Sequence, residues 1–222
     1  MSIEGDLRFL SHHETLRALE RIAARAELPL RYSQGFNPRP AMSVVCPRPV
    51  GVAARADLLV IALQEALDPD VLLRRLNEQA PKGMRLLSAR RLEGRRAPRV
   101  WKARYELRVD PDRLRGTEDR LRFLRDQDRW PVARLTRSKR SRTRRKVWEP
   151  QEIDVRPLVV GLELASGLLR VDLIRRGDLW ARPSEVLRLL GLDERVDLGG
   201  LVRTALEFQE QPEAPEEPGR ME

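Results

Sequence analysis

The chain has 222 residues, 41% of them hydrophobic and 35% charged, with a net charge of +9. That is enough apolar material for a packed core, in one large domain or two of about 100 residues each. A single cysteine, Cys46, excludes an intramolecular disulfide and a cysteine-only metal site, and no apolar run approaches the ~18 residues of a membrane span. The start carries no signal-peptide pattern, which points to a soluble cytoplasmic protein with no membrane partner. The charge is uneven. The last fourteen residues hold five glutamates and one arginine, so the body before them carries +13. So basic a body predicts a polyanionic partner, nucleic acid ahead of anionic membrane.

Taken in order, residues 5–10 alternate loosely and are expected as a short strand. Ser11-His12-His13-Glu14 has the spacing of a capping box, in which the Ser11 hydroxyl and the Glu14 carboxylate satisfy each other's backbone amides. Leu16, Leu19, Ile22, Ala23 and Ala26 then share one helical face, while Arg17, Arg21 and Arg25 recur every fourth residue on another. Pro29 stops this helix. The stretch Tyr32-Ser33-Gln34-Gly35-Phe36-Asn37-Pro38-Arg39-Pro40 follows. Gly35 permits positive φ, and the two prolines push Asn37 and Arg39 towards extended backbone. A stiff loop of this kind, next to an arginine stripe, reads as a recognition surface.

Residues 42–46 and 57–63 read as buried strands, with Arg48 held between Pro47 and Pro49. Asp68-Pro69-Asp70 opens a second helix, and residues 84–89 form a last strand. This order is that of a split βαβ, ferredoxin-like unit, whose open sheet face can serve as an RNA platform.

Residues 93–99 read as a linker. Residues 101–109 alternate cleanly and form a half-buried strand. A helix over 119–128 and a strand from 131 follow. Residues 137–146 carry seven cations and no apolar side chain, which predicts a mobile hairpin tip giving salt-sensitive phosphate contacts. Trp148 is placed to stack on a base or to pack, and packing is the preferred reading. Asp154 and Arg156 are expected to pair, and Cys46 to be an inert mid-strand thiol. A hairpin turns at Gly167, a helix opens at Pro183, and residues 201–208 are expected as an edge strand. The fold class is therefore α+β, with two tandem ferredoxin-like units and antiparallel sheets over 1–92 and 100–208. A disordered acidic tail follows over 209–222, with the charge to dock on the basic 137–146 segment.

The Gly5-Asp6-Leu7-Arg8-Phe9-Leu10-Ser11-His12 segment, the 32–40 loop, residues 47–52 and Ile153-Asp154-Val155-Arg156-Pro157 together resemble the radical-SAM-linked proteins. These are a bacterial family of unknown function, encoded beside or fused to a radical S-adenosylmethionine enzyme. The resemblance spans most of residues 5–208, with departures at His13-Glu14, where Leu-Asp is common, and at Val202, where His is common. The family's longer opening strand would place further residues before Met1. The resemblance implies partnership with that enzyme. The iron–sulfur cluster and S-adenosylmethionine would sit there, with no cofactor in this chain, because one cysteine cannot hold such a cluster.

These readings converge on a non-catalytic, substrate-presenting subunit that binds RNA (tRNA or rRNA) or another phosphate-bearing substrate. The expected contacts are Arg8, His12, Arg17, Arg21, Tyr32, Gln34, Phe36, Asn37, Arg39 and Arg48, with Arg137, Lys139, Arg140, Arg142, Arg144, Arg145 and Lys146 in the basic segment. One alternative is a metal-independent endoribonuclease with His12 as its base. Another is a scaffold that binds only protein.

Overall fold

The computed structural model describes residues 1–92, 97–137 and 148–209. Residues 93–96 of the expected linker, 138–147 of the basic segment and 210–222 of the tail lie outside the described residues.

The chain opens on a two-residue strand, β1 (Ser2–Ile3). Gly5–Phe9, expected as a strand, is instead a 3-10 helix, closed by the Leu10 amide donating to the Leu7 carbonyl at 3.2 Å. Its loose alternation has no neighbouring strand to satisfy, and the tight turn meets its own backbone needs. Helix α1 (His12–Arg25) then starts as its spacing predicts. The Ser11 amide donates to Glu14 Oε2 at 2.8 Å, and the Glu14 amide donates to Ser11 Oγ. Leu19, Ile22 and Ala23 bury its apolar face.

Three strands come next: β2 (Met42–Val45), β3 (Ala53–Ala54) and β4 (Leu58–Ile61). Helix α2 (Pro69–Gln79) is capped by Asp68, whose Oδ1 accepts from the Asp70 and Val71 amides, and β5 (Met84–Arg85) follows it. Cys46, read as mid-strand, lies just past β2 with φ +56°.

The second half begins with β6 (Val100–Arg108), where Ala103, Tyr105 and Leu107 are buried and Lys102, Arg104 and Glu106 face the other way. Helix α3 (Pro111–Arg125) starts eight residues before the predicted helix. Its first turns show few apolar residues, and an Arg113–Asp197 pair, with both oxygens engaged, holds them in place.

Strands β7 (Pro131–Arg137) and β8 (Trp148–Asp154) form a two-stranded ribbon. Strands β9 (Val159–Ala165) and β10 (Leu168–Arg176) are joined by a two-residue turn with Ser166 at φ +49° and Gly167 at φ +75°, a twist that suits a hairpin. The remaining strands and α-helices are β11 (Leu179–Trp180), α4 (Pro183–Leu189), the short α5 (Glu194–Asp197) and β12 (Val202–Phe208).

Both halves contribute to one eight-stranded sheet, ordered β11-β10-β6-β12-β3-β1-β5, with β9 also on β10. The α+β class stands. The strands do not, however, divide into one sheet per half. Strand β12, expected at an edge, lies inside, antiparallel to β6 and parallel to β3. Strands β2 and β4 pair as a separate ribbon. Two apolar clusters pack against these layers. One is built on Ile3, Leu19, Ile22 and Leu76, the other on Tyr105, Leu121, Trp130, Leu169 and Leu187. Among the described residues, no helix is long and apolar enough to cross a membrane.

Candidate functional site

The 31–40 segment is built as a pinned, outward loop. At its root the Arg31 amide donates to the Ala62 carbonyl and the Ala41 amide to the Arg31 carbonyl, at 2.9 and 2.8 Å. One step further out, Tyr32 and Pro40 form an antiparallel bridge. The Ser33 amide donates to the Arg39 carbonyl at 2.8 Å, and the Arg39 amide to Ser33 Oγ at 3.0 Å. Gly35 turns the apex at φ +137°, with no heavy atom near a Cβ placed there. Residues 31–39 are all exposed; Phe36 shows its full surface and Tyr32 half of its own. The expected recognition residues Tyr32, Gln34, Phe36, Asn37 and Arg39 are thus brought together on one projection.

On α1, Arg17, Arg21 and Arg25 are exposed. Arg25 Nη2 donates to the Gln79 carbonyl at the end of α2. Arg17 and Arg21 make no hydrogen bond among the described residues. His12 sits partly buried at the first helical position, its ring 5.8 Å from that of His13. Among the described residues, no hydrogen bond links it to Arg8 or Tyr32.

Two arginines expected at this surface are placed elsewhere. Arg48 is buried: its Nε donates to the Val52 carbonyl, Nη2 donates to the Leu7 carbonyl, and Nη1 lies 3.8 Å from Asp57 Oδ2. A guanidinium so engaged cannot reach a phosphate outside. Arg8 lies over the Phe9 ring and donates to the Gly199 carbonyl at 2.7 Å, so it links the first half to the segment before β12.

The group that sequence reading missed is the junction around Asp57. Arg203 of β12 has no exposed surface. Its Nε and Nη2 donate to Asp57 Oδ1 at 3.1 and 2.5 Å, and Nη1 donates to the Cys46 carbonyl at 2.7 Å. A buried ion pair persists when geometry and extra hydrogen bonds offset the loss of hydration. Beside it, burial pushes the Tyr105 phenol up to about 12 and raises the Cys46 thiol. The available signal was weak: a charge set among apolar residues in each of two stretches, Arg203 in 201–208 and Asp57 at the head of 57–63.

A family model described as "Uncharacterized protein conserved in bacteria (DUF2344)" matches residues 1–189. The chain belongs to this family. No curated protein matches it. The matched span includes the 31–40 loop, Arg48, Asp57 and the β7–β8 ribbon, and ends before Arg203.

In this DUF2344 chain the ribbon is rooted by Arg134, whose guanidinium makes two hydrogen bonds to Glu185 (2.8 and 2.6 Å), and by the Trp130 indole donating to the Leu124 carbonyl. Asp154 accepts from the Trp130 amide and lies near Arg129, while the Arg156 guanidinium donates to the Gln127 carbonyl. The expected Asp154–Arg156 ion pair does not form among the described residues: Asp154 accepts from the Arg156 backbone amide at 3.1 Å and faces the Arg129 guanidinium, while the Arg156 guanidinium turns to a carbonyl. Arg137 stands opposite Trp148 in the ladder, and Trp148 is 58% exposed rather than packed. Lys139, Arg140, Arg142, Arg144, Arg145 and Lys146 lie outside the described residues.

The open face of the sheet carries paired charge. Lys102 contacts Asp172 and Glu207, Arg104 makes two hydrogen bonds to Asp172, and Arg170 contacts Glu106 and Glu163. The Arg104 hydrogen bonds hold the Asp172 carboxyl below its ordinary range despite partial burial. Two grooves, of about 240 and 260 Å³, are lined by Phe123, Val132 and Leu189 and by Arg99, Trp101 and Arg175; neither contains a predicted contact residue. Among the described residues, no group of three His, Cys, Asp or Glu side chains converges to hold a metal.

Proposed function

We propose that this protein is a non-catalytic cytoplasmic companion of a radical S-adenosylmethionine enzyme, and that it presents RNA, or another phosphate-bearing substrate, through the 31–40 loop and the Arg17/Arg21 side of α1. The enzyme would carry the iron–sulfur cluster and S-adenosylmethionine. The link to such an enzyme rests on the sequence resemblance. The observation that carries the binding role is the loop itself. Two backbone-paired rungs hold the loop with Phe36 fully exposed and Arg39 exposed, so an aromatic face and a cation are offered on a backbone that is already ordered before binding. Arg17 and Arg21 add cationic surface for which the described residues supply no hydrogen-bonding partner.

The strand order β9-β10-β6-β12 supports reading the second half as a split βαβ unit. The charge lattice on its open face shifts the contact from the sheet to the projections. A ribonuclease built on His12 is less well supported, because Arg8 is engaged by Gly199 instead of waiting beside the imidazole.

The test is filter binding of RNA across a salt series. Binding should weaken steeply with salt, and Arg39→Ala should flatten the log–log slope by about one. A flat salt response, or no binding at low salt, overturns the RNA role. The full exposure of Phe36 also suits a protein pocket. Nuclease-resistant co-purification with the enzyme that Phe36→Ala abolishes, without RNA binding, would establish the scaffold reading instead.

A further inference from the structure

We infer that the β7–β8 ribbon is a second RNA contact, specific for unpaired nucleotides, in which the Trp148 indole is the platform for one stacked base. This rests on the RNA-binding reading above and adds a site and a substrate form to it.

Among the described residues the ribbon pairs with no other strand, and its register assigns alternate residues to two faces. Val132 and Ile153 are buried on one face, where Arg134 reaches Glu185; that face anchors the root. On the other, Pro131, Ala133 and Leu135 stand opposite Asp154, Glu152 and Pro150, and Trp148 stands opposite Arg137. Leu135 is 63% exposed, Pro150 is exposed, and Trp148 extends this uncovered apolar stripe at the far end of a ribbon about 20 Å long.

Of the four tryptophans, Trp130 is buried and hydrogen-bonded, Trp101 and Trp180 are partly covered, and Trp148 is exposed. Trp148 is an exposed indole that offers a stacking surface for a base, and its register partner in the ladder is an arginine, the combination of residue types that single-strand recognition uses. The sequence running on from Arg137 is the most cationic of the chain, which favours a nucleic acid over a protein as the occupant. The base must be unpaired, because a duplex keeps both faces of its bases stacked.

The test uses the full chain, a single-stranded oligouridylate of about 12 nucleotides and a duplex of the same length, followed by intrinsic tryptophan fluorescence and by filter binding. The single strand should quench the wild-type emission and the duplex should not. Trp148→Phe should lose most of that quench while affinity stays within about threefold, and Trp148→Ala should weaken binding about tenfold or more. Equal quenching by the duplex, or unchanged binding by Trp148→Ala while Arg39→Ala still weakens it, overturns the platform and leaves the loop reading standing. Failure of the wild type to bind either RNA at low salt overturns both. Unchanged RNA binding with lost co-purification of the enzyme would make the ribbon a protein interface and overturn the inference.

Discussion

Arg203 and Arg39 carry the same guanidinium under opposite conditions. Arg203 has no exposed surface, and its donors are aimed at Asp57 and the Cys46 carbonyl. Arg39 is exposed on a loop whose hydrogen bonds all come from backbone and Ser33. The arginines and lysine of the sheet's open face stand between them, half-covered and matched to carboxylates. Net charge therefore says little about which cations can meet a phosphate. A paired cation must first lose its carboxylate, whereas an unpaired one loses only water and counterions.

Removing the buried partner should have the largest effect. Arg203→Ala removes both hydrogen bonds to Asp57 and leaves it only the 3.8 Å contact with Arg48 in the interior, and should cost roughly 3–5 kcal/mol in denaturant unfolding. Joint replacement of Arg203 and Asp57 by Met and Leu should recover only part of it, because buried Arg48 then loses its carboxylate, and adding Arg48→Met should recover more. A cost under about 1 kcal/mol would mean that the junction is not what holds β12 inside the sheet. Glu185→Ala strips Arg134 of its carboxylate at the root of the ribbon and leaves it the Trp180 carbonyl, and should cost about 2–3 kcal/mol.

Acid tests the intermediate class. Asp172 is held below its ordinary value of 3.8, chiefly by hydrogen bonds from Arg104, so its stabilisation is complete above that pH and is lost as pH falls below it. Asp172→Asn should remove that part of the acid limb in melting curves taken against pH. On the loop, Gly35→Ala forces a side chain into φ +137° and should cost about 1 kcal/mol, confined to the loop because nothing else is crowded. Arg39→Ala should change stability by under about 0.5 kcal/mol. If Arg39→Ala destabilised the fold as Arg203→Ala does, the contrast between the two arginines would fail.

Much of the local structure could be read from spacing. The Ser11–Glu14 cap, the alternation of β6, the Asp68 cap of α2 and the two-residue turn at Gly167 all involve neighbours within about four residues, where backbone geometry dictates the partner. The exposed loop was legible for the same reason: its prolines and glycine act on their own backbone. Harder to see were β1, only two residues long, and the early start of α3, whose first turns lean on Asp197 far along the chain.

The sequence by itself determined that this is a basic α+β protein with a proline-constrained 32–40 loop and a capped, arginine-striped helix. Only the tertiary structure decided that β12 runs inside a shared sheet, that Arg48 turns inward, and that Trp148 stands uncovered. The division has one physical cause. Caps and turns are chosen by adjacent atoms, while the partner of a buried charge, as for Arg203 and Asp57 146 positions apart, is chosen by how the whole chain packs.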